Sequence, residues 1–165
     1  MKIYLIGMPG SGKSTVGRKL AKKLGLKFID TDSLIEKDEN RKISEIFETD
    51  GEVYFRDLET KKLEEIQSMA DVVVSTGGGV VVRVTNQKLL NGHILFLDTN
   101  PMLLERRLEQ SKSRPLLNSY SVSYLYKSRI ENYRKFCSLS LPLCRNDSTF
   151  ATNEILKLLE EKGII

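Results

Sequence analysis

Ile3-Tyr4-Leu5-Ile6-Gly7-Met8-Pro9-Gly10-Ser11-Gly12-Lys13-Ser14 is the stretch that decides the fold. Four consecutive apolar residues ending at a glycine read as a strand buried on both faces of a parallel sheet. The residues from Gly7 to Ser14 match G-x-x-x-x-G-K-[ST], with a strand before and a helix after, as the phosphate-binding loop requires. Its glycines let the backbone curl so that N–H groups point inward, and the helix that follows adds positive potential at its N-terminus. Lys13 is expected to reach the β- and γ-phosphates, and the Ser14 hydroxyl to ligate Mg²⁺. A dinucleotide fingerprint is excluded, because Thr15 stands where its third glycine would be. The motif therefore implies binding of a nucleoside triphosphate.

Outward from the loop, strand-like and helix-like stretches alternate. A helix from Lys13 carries Val16, Leu20 and Leu24 at helical spacing and stops at Gly25. Phe28-Ile29 reads as a second strand, and Ser33 to Met69 as helix broken near Asn40 and at Asp50-Gly51. Val72-Val73-Val74 is a third strand running into Gly77-Gly78-Gly79, and Ile94 to Leu97 a fourth, with a short helix at Asn86–Leu90 between them. Pro101 opens a helix through Leu108. Ser111 to Ser123, with five serines and Pro115, reads as a mobile loop. Helices at 124–136 and 153–162 flank a weak strand at 141–145. This alternation implies an α/β fold, a parallel sheet with helices on both faces and ligands at the carboxyl ends of the strands.

Composition bounds the function. The 165 residues suit one domain, and 40% hydrophobic content is enough for a packed core. No run approaches the roughly 18 apolar residues of a membrane helix. Cys137 and Cys144 cannot make a disulfide framework, and with one histidine they exclude a Cys/His zinc site. A reducing, cytoplasmic setting is the expectation. The formal charge of +4 is spread among acids, so neither nucleic acid nor a membrane is the expected partner.

A phosphate loop leaves the reaction open. GTPase switches carry N-K-x-D, which is absent here. A phosphotransferase needs a group that orients or deprotonates the acceptor hydroxyl. Asp30 and Asp32, closing the second strand, are the candidates, and an extended backbone would put both on one side. Asp32 also fits as the N-cap of the next helix. Gly77–Gly79 after a buried strand imply close backbone approach to a ligand. Arg56 offers a forked cation, with an ion pair to Glu59 as its simplest structural use.

Five motifs occur in order: the loop G-M-P-G-S-G-K-S-T, D-T-D at Asp30–Asp32, G-E-x-x-F-R at Gly51–Arg56, G-G-G at Gly77–Gly79 and R-P-L-L at Arg114–Leu117. Together they resemble shikimate kinase, within the nucleoside-monophosphate-kinase-like P-loop group. The resemblance implies a three-layer fold whose five-stranded parallel sheet has the order 2-3-1-4-5. It implies an acceptor-binding helical segment at about 32–62 and a closing lid at about 110–123 within one domain spanning 1–165. It further implies transfer of the ATP γ-phosphate to the 3-hydroxyl of shikimate, in aromatic amino-acid biosynthesis, by a monomer.

By the same resemblance Asp32 holds the substrate hydroxyls and acts as base, and Asp30 reaches Mg²⁺ through water. Arg56 and Arg129 clamp the carboxylate, with Gly77, Gly78 and Gly79 close to the substrate. Arg114 reaches the transferring phosphate, and Arg107 lies along adenine. Gly10, Ser11, Gly12, Lys13, Ser14 and Thr15 hold the nucleotide. Where that family reads R-x-P-L-Y, this chain reads Arg129-Ile130-Glu131-Asn132-Tyr133. No basic residue follows between Asn146 and Asn153 to back the adenine, where Phe150 is available for stacking. The rivals are a gluconate- or nucleotide-type kinase on the same scaffold, and a nucleotide-dependent regulatory protein without transfer.

Overall fold

A computed structural model describes residues 1–109 and 120–165. Five strands, β1 (Lys2–Ile6), β2 (Lys27–Asp30), β3 (Val72–Ser75), β4 (His93–Thr99) and β5 (Leu139–Leu143), form one sheet. Its order is β2-β3-β1-β4-β5, with every pairing parallel. The expected sheet order is the observed one. Parallel neighbours need crossovers, and helices supply them: α1 (Lys13–Leu24), α2 (Thr31–Glu39), α3 (Ile43–Thr49), α4 (Gly51–Ile66), α5 (Pro101–Glu109), α6 (Val122–Phe136) and α7 (Ser148–Glu161).

Strand periodicity divides the core in two. Tyr4 and Ile6 of β1 face a layer containing Leu63 and Ile66 of α4 and Leu125 and Tyr133 of α6. Ile3 and Leu5 face the other side, with Val16 and Leu20 of α1 and Ile155 and Leu159 of α7. All five residues of β1 are consequently buried. A small third cluster, Ile35, Ile46 and Phe55, joins α2, α3 and α4 into the expected broken helical segment. Its breaks fall at Asn40, a left-handed cap with φ 50°, and at Gly51, with φ 84°.

Four boundaries differ from the sequence expectation. β5 lies at Leu139–Leu143, not 141–145, because pairing of Leu95 with Leu139 sets its register and an edge strand tolerates Pro142. α7 begins at Ser148, not Asn153, since the Asp147 carboxylate caps it by accepting from the Thr149 and Phe150 amides at 2.8 and 3.0 Å. The segment after β3 is two 3₁₀ turns, Val80–Val82 and Val84–Leu89, rather than one short helix. Val122 and Ser123, expected within the loop, belong to α6, whose N-cap Ser121 accepts from the Tyr124 amide at 3.1 Å. Residues 110–119 of that expected lid, including Arg114, lie outside the described residues.

Candidate active site

The loop between β1 and α1 curls through left-handed glycines, Gly10 (φ 83°) and Gly12 (φ 90°), and closes with Ser11 N donating to Met8 O at 3.1 Å. Gly12 is itself the N-cap of α1, with no side-chain cap and no acidic residue in the first turn. The positive end of α1 thus faces the loop rather than a protein carboxylate. Lys13, buried, folds over the loop and donates to Gly7 O and Met8 O at 2.8 and 2.9 Å. Ser14 Oγ donates to Asp30 Oδ2 at 2.5 Å and lies 3.3 Å from Ser75 Oγ at the end of β3.

Asp30 ends β2 and Asp32 is the second residue of α2, so the pair spans a strand-to-helix turn rather than one extended face. The helix cap is Asp30, not Asp32: its Oδ1 accepts from Ser33 N at 3.1 Å, because α2 already starts at Thr31. Asp32, relieved of capping, lines the same cavity as the phosphate loop. A side chain at Gly77 would meet Asp32 Oδ1 at 2.8 Å and overlap Glu59 Oε1. At Gly78 it would meet Pro9 Cδ at 2.6 Å, and at Gly79 it would overlap the Arg56 guanidinium. The three glycines are therefore where β3's loop passes between the phosphate loop and α4, and only hydrogen fits.

Arg56 is 4% exposed. Its Nε and Nη2 donate to Glu52 Oε1 at 3.2 and 3.0 Å, and its Nη1 donates to Glu59 Oε2. Burial works to lower the Arg56 pKa, but Glu59 and Glu52 outweigh it and hold the cation above its ordinary value. Burial pushes the Glu59 carboxyl above the usual carboxylate range, with Arg56 opposing. Glu59 Oε1 is buried and has no hydrogen-bond partner among the described residues. Arg129, on α6, is 5% exposed and donates from Nη1 to Gly78 O at 3.1 Å. Two buried guanidinium groups thus flank the glycine loop. Glu59 is more than Arg56's helix-surface partner: spacing revealed the pair, but only burial shows a carboxylate oxygen held in the cavity.

At the far end, Arg107 Nη1 donates to Gly10 O at 2.9 Å and its Nε to Asn146 Oδ1 at 3.0 Å. Burial lowers its pKa. One position before the segment 146–153, Arg145 lines the cavity, its guanidinium 5.1 Å from the centre of the Phe150 ring. One cavity of about 910 Å³ runs from Arg145 and Arg107 past the phosphate loop to Asp32, Arg56 and Arg129. It joins Gly10–Thr15, Asp30 and Gly77–Gly79 as well, so every expected site residue among the described ones lines it.

Mg²⁺ fits the corner between Ser14 and Asp30: a hydroxyl and a carboxylate are hard oxygen donors already in contact. Among the described residues no group of three or more His, Cys, Asp or Glu side chains could enclose a metal.

The shikimate kinase family model matches residues 9–160. The shikimate kinase of Sulfurihydrogenibium sp. (strain YO3AOP1) is 46% identical over 136 residues, covering 80% of this chain and 82% of its own. Among solved structures, the shikimate kinase of Acinetobacter baumannii in complex with shikimate superposes with a TM-score of 0.93 at 35% identity, covering 98% of this chain and 93% of that one. The shikimate kinase of Aquifex aeolicus superposes at 0.86, also at 35% identity, over 99% and 98%. With the phosphate loop, the paired aspartates and the two buried arginines gathered in one cavity, these matches establish that the chain belongs to the shikimate kinase family.

Proposed function

We propose that this chain transfers the γ-phosphoryl group of ATP to the 3-hydroxyl of shikimate, giving shikimate 3-phosphate and ADP, a step of chorismate and aromatic amino-acid biosynthesis. The observation that carries this reading is the single cavity connecting the phosphate loop to Asp32 and to the Arg56–Arg129 pair. Phosphoryl transfer asks a protein chiefly to position two oxygens in line and to neutralise charge. Gly10–Thr15 cradle the triphosphate with backbone N–H groups, and Lys13 turns from the loop carbonyls to the β- and γ-phosphates. Arg107 lies along the adenine, with Arg145 and Phe150 near it.

At the other end, Arg56 and Arg129 take the shikimate carboxylate, a bidentate task suited to guanidinium. Glu52 and Glu59 hold the Arg56 fork in place, and the amides of Gly78 and Gly79 approach closely because no Cβ intervenes. Asp32 accepts the proton of the 3-hydroxyl as its oxygen attacks the γ-phosphorus. Ser14, and Asp30 through water, would hold Mg²⁺, which when bound neutralises developing charge on the phosphate oxygens. We further assign 32–62 as the acceptor-binding segment and 110–123 as the lid of one kinase domain, with Arg114 serving the transferring phosphate. Two free cysteines fit a cytoplasmic setting, and the family resemblance points to a monomer.

The decisive experiment compares shikimate, gluconate and nucleoside monophosphates as acceptors for the wild type and for Asp32→Asn. Wild-type turnover on shikimate is expected, with Asp32→Asn slower by about 10²–10⁴-fold and ATP affinity retained. Turnover only on the other acceptors would reject shikimate. Near-normal turnover of Asp32→Asn would reduce Asp32 to a residue of the helix turn.

A further inference from the structure

Helix α6 presents three side chains, Arg129, Asn132 and Tyr133, to backbone carbonyls of the loop that follows β3. Arg129 Nη1 and the Tyr133 hydroxyl both donate to Gly78 O, and Asn132 Nδ2 donates to Val81 O at 3.1 Å. On the opposite side Gly77 N donates to Thr31 Oγ1 at 3.0 Å. The loop is thus held from α2 and from α6.

Tyr133 is fully buried, its ring stacked on Phe96 with centroids 4.9 Å apart. A phenylalanine would fill that space equally well. The hydroxyl is also not required to satisfy Gly78 O, which Arg129 already serves. Burying a polar group for no packing gain calls for another use. The Gly78 carbonyl and the Gly79 N–H share one planar trans peptide and point in opposite directions. Holding the carbonyl toward α6 therefore aims the Gly79 N–H away from it. Gly79 is also the residue pressed against the Arg56 guanidinium.

We propose that Tyr133, supported by Asn132, is a positioning residue for acceptor binding: it clamps the Gly78–Gly79 peptide so that the Gly79 N–H meets the acceptor carboxylate beside Arg56. The proposal rests on the reading of the Arg56 corner as a carboxylate site. Tyr133 keeps the peptide fixed while Arg129 directs its donors to the carboxylate. Burial raises the phenol's pKa, so the hydroxyl stays a donor across the working range of pH. Asn132 adds a second anchor three residues along, where an apolar side chain would give none.

The test is steady-state kinetics of Tyr133→Phe and Asn132→Leu, with thermal unfolding of each and Arg56→Ala as control. Tyr133→Phe is expected to raise the shikimate KM about tenfold, equivalent to about 1.4 kcal/mol, a normal worth for one hydrogen bond. The ATP KM should be unchanged and kcat nearly so. In ¹⁵N-labelled protein the Gly79 amide resonance should move, and its further shift on adding shikimate should shrink. Asn132→Leu should change the same parameters less. A lowered melting temperature with an unchanged shikimate KM would overturn the proposal, leaving Tyr133 a packing residue. If Tyr133→Phe does not fold, an unchanged KM in Asn132→Leu overturns it instead. If Arg56→Ala also leaves the shikimate KM unchanged, the carboxylate reading itself fails; a raised KM in Arg56→Ala alone condemns only the clamp.

Discussion

Arg56, Glu59 and Gly79 show how closely one end of the cavity is fitted. The Arg56 fork is fixed by two carboxylates and lies against a residue with no side chain. Gly79 has φ −99°, so its backbone is open to any residue and the constraint is space alone. Gly79→Ala should therefore keep the fold but displace Arg56, raising the shikimate KM by about tenfold or more, the loss expected for a disturbed charged hydrogen bond. Kinetics with each substrate varied in turn would check it, the ATP KM staying constant.

Glu59 allows a pH prediction at the same scale. Its folded pKa is raised above the ordinary 4.5 by burial. The folded chain therefore binds this proton more tightly than the unfolded chain does. The associated stability is fully present below 4.5 and is lost as pH rises through the folded pKa. The melting temperature of the wild type relative to Glu59→Gln should accordingly be highest near pH 4.5 and decline toward neutrality, as thermal unfolding at both pH values would show. A constant difference would mean that Glu59 ionises normally.

Among the elements, α4 illustrates a helix end completed from elsewhere in the chain. Its last turn holds no basic residue, and its C-cap, Gln67, is not left-handed. The cation comes from β1: Lys2 Nζ donates to Ile66 O, Gln67 O and Asn91 Oδ1 at 3.1, 2.9 and 2.8 Å. Lys2→Met should destabilise the protein by about 1–3 kcal/mol, the cost of stranding buried acceptors. Lys2 stands at the opposite end of β1 from the phosphate loop, roughly 16 Å away at strand rise. Its kcat and both KM values should be unaffected. Denaturant unfolding and an activity assay on one preparation would test both halves.

At the scale of the molecule, the parallel sheet decides where chemistry occurs. β1, β2 and β3 deliver the phosphate loop, Asp30–Asp32 and Gly77–Gly79 to the same rim, and α4 and α6 add Arg56 and Arg129. Pro9 against Gly78 joins the phosphate loop directly to the glycine loop beside Arg56. If both substrates occupy one continuous cavity, a molecule linking ADP to shikimate through phosphates should compete with ATP and with shikimate. Inhibition patterns against each would reveal it. A linked molecule that competes with only one substrate would separate the sites.

The phosphate loop, the break at Asp50-Gly51, the left-handed stop at Gly25 and the glycine run were legible in sequence because each is a local demand on backbone angle or spacing. So was the parallel sheet, which follows from apolar strands alternating with amphipathic helices. Its order came from the family motifs, since no local pattern encodes which strands become neighbours. Tertiary structure alone decided the remainder: that Asp30 caps α2 and leaves Asp32 to the cavity, that Glu59 is buried with one oxygen turned inward, and that α6 reaches back to Gly78. The cap itself is local, but it falls at Asp30 because pairing with β3 carries β2 that far; the other facts depend on contacts between residues tens of positions apart, made where packing removes water and sets the worth of each charge.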